Sequence, residues 1–160
     1  MGFSEGMKEL KKKLLDGSNE KVLVTRERAE ILKLSPLSLV SKIKSGDLSP
    51  VDVLHAYQAK ALKESRKTNC VIEVIKDAEE HAVKLEQMIK NDKESVSGMP
   101  LCGMPISIKG NVGVKGYDNT LGLEKNGGKP MPYDAVVVTI LRSAGCIPFV
   151  KTNLAQMCLR

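Results

Sequence analysis

One pattern in the second half of the chain restricts its fold more than any other. A short apolar run, "PISIK" at 105–109, enters a long glycine-rich segment; an apolar helix pattern, "YDAVVVTILRSAG", follows, and then a second short run, "CIPFV". Strand, crossover, helix, strand is a βαβ unit, whose two strands lie parallel with a right-handed crossover. Parallel strands are buried on both faces, so the pattern predicts an α/β architecture covered by helices. The first strand is expected at about 104–109 and the second near 147–150, with a helix capped near Asp134 and stopped by Gly145.

The preceding residues read as helical, with one strand among them. "FSEGMKELKKKLLDG" is a charged helix closed by Gly17, and "NEKVLVTRERAEILKL" starts on Asn19. Ser35–Pro36 and Ser49–Pro50 each pair a side-chain cap with a residue that lacks the N–H a helix start would orphan. Leu37, Val40 and Ile43 are expected to form one inward face, with Gly46 ending that helix; Val53, Leu54, Tyr57 and Ala61 form another. "CVIEVI" at 70–75 is a short β-branched strand, and the helix after it, capped by Asp77, turns Ala78, Ala82, Leu85 and Ile89 inward.

Composition narrows the function classes. A chain of 160 residues with 42% hydrophobic content suits one soluble domain rather than disorder or a membrane span. The longest apolar stretch, "AVVV" at 135–138, is broken by Thr139, far short of the roughly 20 residues a span requires, and the N-terminus lacks the apolar core of a signal peptide. A cytoplasmic or peripherally membrane-associated chain is expected. The net charge of +6 is spread without a block, and with no Trp and only two Phe there is no stacking platform, so nucleic acid is not an expected partner. Cys70, Cys102, Cys146 and Cys158 are widely spaced, as reduced thiols would be, and His55 and His81 sit alone inside helices; no metal site is expected.

The glycine-rich segment, about 110–133, is longer than a plain connector, and such loops are usually functional or mobile. It is no phosphate loop: counted from Gly122 and Gly127, Gly128 stands where the motif requires Lys, and Lys129 where it requires Ser or Thr. No G-x-S-x-G elbow or H-E-x-x-H motif occurs. Lys109 is the remaining candidate, because an ammonium at the end of a buried strand must reach water, find a partner or lose its proton. Most strand-end lysines extend the amine to solvent. Ser107, two residues earlier, is expected on the same face.

"PLCGMPISIKGNVGVKGYDNTLGL", followed by "YDAVVVTILRSAGCIPFVKTN", resembles the amidase signature family, in which P-L-x-G-x-P-x-x-x-K carries a catalytic lysine and K-T-N follows the next helix and strand. The likeness spans about residues 34–160 and is strongest to its fatty acid amide hydrolase branch, which "LVSKIKSGDLSP" and "KTNCVIEVIKDAE" also resemble. It implies an α/β amidase signature fold, N-terminal helices followed by the first βαβ part of a mixed sheet, incomplete here, with 34–160 as the N-terminal part of the amidase domain before its Ser-rich motif; residues 1–33, read as charged N-terminal helices, lie outside the likeness. It implies a Ser, cis-Ser, Lys triad with Lys109 as the catalytic base and Cys158 and Leu159 at the substrate site. A fatty acid amide or related acyl amide is the implied substrate, with no cofactor, and the branch brings peripheral membrane contact and a homodimeric full-length form into view. Two departures stand out. Gly110 replaces the acidic residue that usually follows the lysine, and both triad serines lie beyond K-T-N, whereas the last serine here is Ser143. The chain alone is therefore expected to be inactive. The rival expectation is a non-catalytic interaction module.

Overall fold

The computed structural model describes residues 24–159. The first charged helix of the sequence reading lies outside them. Five helices and three strands follow in order: α1 (Arg26–Ile31), α2 (Pro36–Ser45), α3 (Pro50–Thr68), β1 (Val71–Val74), α4 (Ala78–Asn91), β2 (Pro105–Lys109), α5 (Val136–Ser143) and β3 (Ile147–Thr152). α1 begins later than expected. Thr25, extended at φ −67° and ψ 168°, caps it by accepting from the Arg28 amide, so no helix starting at Asn19 continues through this point.

Both Ser-Pro starts form as expected. Ser35 Oγ accepts from the Ser38 amide, and Ser49 Oγ accepts from the amides of Val51 and Asp52. α2 stops at Gly46, where φ is +82°. Its inward face differs from the expected one. Leu39 and Ile43 are fully buried, whereas Leu37 is 85% exposed, because the core covers only the narrow i, i+4 stripe of a helix that starts at Pro36. α4 matches the periodic reading: Ala78, Ala82, Leu85 and Ile89 all enter the core.

The three strands form one mixed sheet in the order β1-β3-β2. β2 and β3 run parallel, with Pro105 opposite Ile147 and Lys109 opposite Thr152, which is the expected βαβ unit. β1 joins the other side of β3 antiparallel, with Glu73 opposite Lys151. β3 is therefore central, and all of its residues but Thr152 are buried. Among the described residues, the outer edges of β1 and β2 have no strand partner.

The main core joins Leu39, Ile43, Val53, Leu54, Leu85 and Ile89 of the helices to Val71, Ile147, Phe149 and Val150 of the sheet. Each fully buried side chain of this kind contributes about 1.5–3 kcal/mol. A smaller cluster gathers Ile75, Ile108, Val138 of α5 and Val114 of the glycine-rich loop. This second cluster seats the loop against the strand that carries Lys109.

Candidate functional site

β2 ends where the chemistry of interest begins. Ile108 is buried between Ser107 and Lys109, both exposed, so alternation along the strand puts serine and lysine on one solvent-facing side. The Lys109 carbonyl accepts from the Val112 amide at 2.9 Å, turning the chain out of the sheet. Lys109 thus meets the demand on a strand-end ammonium by reaching water.

Gly110 binds the strand end to β3 through its amide, which donates to the Thr152 carbonyl at 2.9 Å. A Cβ there would collide with Leu154 Cδ2, lie 2.7 Å from the Thr152 oxygen and 3.0 Å from Ile72 Cδ1. Only glycine fits this approach. The departure from the expected acidic residue therefore has a local cause, since Leu154 fills the space in which such a side chain would start.

The glycine-rich loop folds back on itself. The Gly116 amide donates to the Met131 carbonyl at 2.8 Å, the Met131 amide returns a bond to the Tyr117 carbonyl at 3.0 Å, and the Gly128 amide donates to Asp118 Oδ2 at 2.7 Å. At its far end Asp134 Oδ1 accepts from the Lys115 amide at 2.7 Å. Asp134 was the expected cap of α5, but Ala135 occupies the cap position and the carboxylate ties down the loop. Asp77 likewise stands at the cap position of α4 without bonding its amides; it lies 3.1 Å from Arg142 Nη2.

The last described residues pack on the inner part of this loop. The Met157 amide donates to the Leu121 carbonyl at 2.8 Å, and Gly122, at φ +74°, lets Gln156 Cα approach to 3.1 Å of its missing Cβ. Asn111 Nδ2 donates to Cys158 Sγ at 3.5 Å, and Asn119 Nδ2 donates to the Asn111 carbonyl at 3.2 Å. Cys158 is thereby linked to a residue two positions beyond Lys109. Leu159 is 69% exposed, and its amide donates to the Gln156 carbonyl at 3.0 Å. The four cysteines are free thiols, and burial raises the pKa of Cys102 and Cys146, leaving both poor nucleophiles.

Lys151 went unnoticed in the sequence. It is completely buried in β3, and its ammonium donates to the Asp118 carbonyl. Burial pulls its pKa down, while the charges of Glu73 and Asp118 pull it back up. A signal was available: "CIPFVK" ends an apolar run on lysine just as "PISIK" does. Among the described residues, no helix is long and apolar enough to cross a membrane.

The Amidase family model matches residues 52–160 of the chain. Vitamin D3 hydroxylase-associated protein of Gallus gallus is 42% identical over 130 residues, which is 81% of this chain and 26% of that protein. Fatty-acid amide hydrolase 1 of Sus scrofa is 40% identical over 129 residues, 80% of this chain and 21% of its own length. A solved structure of fatty acid amide hydrolase superposes with a TM-score of 0.78 at 26% identity, covering 98% of this chain and 28% of that one. The chain thus spans about a quarter of the length of the relatives it matches.

Proposed function

The chain belongs to the amidase family, and we propose that its residues 34–160 are the lysine-bearing part of an acyl amide hydrolase of the fatty-acid-amide-hydrolase kind. The position of Lys109 carries this reading: it ends the first strand of the βαβ unit, exposed on the same side as Ser107 and next to the loop whose Asn111 donates to Cys158 of the terminal segment. In the proposed chemistry the serine-bearing region of the complete enzyme covers Lys109, and its unprotonated Nζ takes a proton from a bridging serine. That serine takes the proton of a second serine, whose oxygen attacks the amide carbonyl. The amine leaves with a proton, and water releases the fatty acid from the acyl-serine.

Both serines would come from outside these residues. The chain alone is accordingly read as inactive, with no cofactor required in the complete enzyme. Its 1–33 stretch is read as a charged lead, and Cys158 and Leu159 as the start of the substrate-lining segment. A peripheral membrane approach and a homodimer of the complete form fit a lipid-like substrate.

The test compares two proteins. The chain by itself should hydrolyse neither a long-chain acyl amide nor acetamide above background. A product that continues through the serine-bearing region should hydrolyse the long-chain amide, and Lys109→Ala in it should lower the rate by about a thousandfold or more. Unchanged activity in that variant would remove Lys109 from the mechanism. Hydrolysis of acetamide alone would overturn the fatty-acyl assignment.

A further inference from the structure

Lys151 is the one fully buried charged residue among those described. Nothing in the proposed chemistry uses it. It stands in the central strand, opposite Glu73 on β1 and beside Ile108 on β2, the residue that precedes Lys109. A side chain needed only for packing at this point would be apolar, since an ammonium must be stripped of water to sit there. The ammonium donates instead to the Asp118 carbonyl, in the inner part of the glycine-rich loop.

Asp118 is held from a second direction, because its carboxylate accepts from the Gly128 amide at 2.7 Å. The next residue, Asn119, donates from Nδ2 to the Asn111 carbonyl, and Asn111 donates from Nδ2 to Cys158 Sγ. The neighbouring Val112 amide closes on the Lys109 carbonyl. These contacts form a hydrogen-bonded belt around the end of β2, which meets the central strand at two points: the Thr152 carbonyl, which accepts from the Gly110 amide, and the Lys151 ammonium, which alone holds the Asp118 side of the belt to that strand. The Oδ1 atoms of Asn111 and Asn119 are shielded from solvent and accept no hydrogen bond, so within this belt the two side chains act through their Nδ2 donors alone.

We propose that Lys151 is a positioning residue for the Lys109 site: by holding the Asp118 carbonyl it fixes Asn119, and through Asn119 the Asn111 backbone that follows Lys109. For its catalytic consequence this rests on the reading of Lys109 as a base. The belt itself does not. Burial lowers the Lys151 pKa, and the charges of Glu73 and Asp118 offset only part of that shift.

The experiment is NMR on the full chain, following the Asn119 side-chain amide and the Gly128 backbone amide. Lys151→Met keeps the apolar stem and removes the donor. Exchange of the Asn119 and Gly128 protons should rise about tenfold or more, while the backbone amides of Ile75 and Ile147, bonded to Phe149 and Met104 within the sheet region, stay within about twofold. Lys151→Arg, which retains a donor, should keep the Asn119 signal near its original position. An unchanged Asn119 amide in Lys151→Met would overturn the proposal, and so would equal acceleration of the sheet amides. Should Lys151→Met fail to fold, Asp118→Ala decides the matter. It leaves the carbonyl that Lys151 binds, so Gly128 should exchange faster while Asn119 stays protected; loss of both signals would show that the loop holds the belt without Lys151. A failed role for Lys109 would appear only in the hydrolysis assay, so the two outcomes are separable.

Discussion

At the scale of single residues, the space beside Gly110 decides how the end of β2 is built. Its amide is committed to the Thr152 carbonyl, so the backbone cannot retreat from an added Cβ without breaking a bond that joins β2 to β3. Gly110→Ala should destabilise the fold by about 1–3 kcal/mol, the usual range for overpacking a site that cannot yield. Denaturant unfolding would measure this as a lower midpoint at an unchanged slope. Adding Leu154→Ala should return part of the loss, because Leu154 Cδ2 is the nearest obstacle and the Thr152 oxygen the next. If the double variant is no more stable than Gly110→Ala, the obstacle is backbone alone.

Between elements, a charged cluster joins α4, α5 and the glycine-rich loop. Arg142 of α5 lies 3.1 Å from Asp134 and from Asp77, and its guanidinium donates to His81 Nδ1 of α4 at 2.5 Å. Burial, followed by the positive charge of Arg142, lowers the His81 pKa; Asp77 and Glu80 oppose this and Lys84 adds to it. The unfolded chain therefore binds a proton to His81 more readily than the folded one. Stability should fall as the pH drops through and below about 6.5, and the contribution is constant above it. His81→Gln should flatten this part of the stability profile. Denaturation at pH 7.5 and 5.5 checks it, and an equal fall in both proteins would assign the effect to other groups.

The whole molecule leaves α5 covered on one side only. Val138 is buried in the smaller core, while Val136, Val137 and Ile140 are 76%, 50% and 61% exposed, with Tyr133 nearby at 66%. Apolar surface of this kind, close to a sheet with open edges, favours association. The chain should sediment as a concentration-dependent mixture, and Val137→Lys with Ile140→Glu should shift it toward monomer without loss of helix content. Analytical ultracentrifugation with circular dichroism tests both parts. A monodisperse monomer in the unaltered chain would show that this face is tolerated in water.

The local elements were legible because their causes are local. Ser35, Ser49 and Gly46 mark helix ends through bonds and backbone angles set within a few residues, and the inward stripe of α4 follows from helical period alone. The parallel pairing of β2 and β3 was equally readable, since chirality restricts how a strand, helix and strand can close. The motif around Lys109 carried the family, and its exposed side shared with Ser107 followed from strand alternation. The exposure of Leu37, the diversion of Asp77 and Asp134 from capping to Arg142, and the burial of Lys151 were not legible. Each depends on partners far apart in sequence. "PISIK" and "CIPFVK" both end on lysine, yet one ammonium reaches water and the other is enclosed. Sequence period determined which residues could enter strands; only the tertiary position of β3, central between two strands and beneath the Asp118 carbonyl, decided which lysine would be buried.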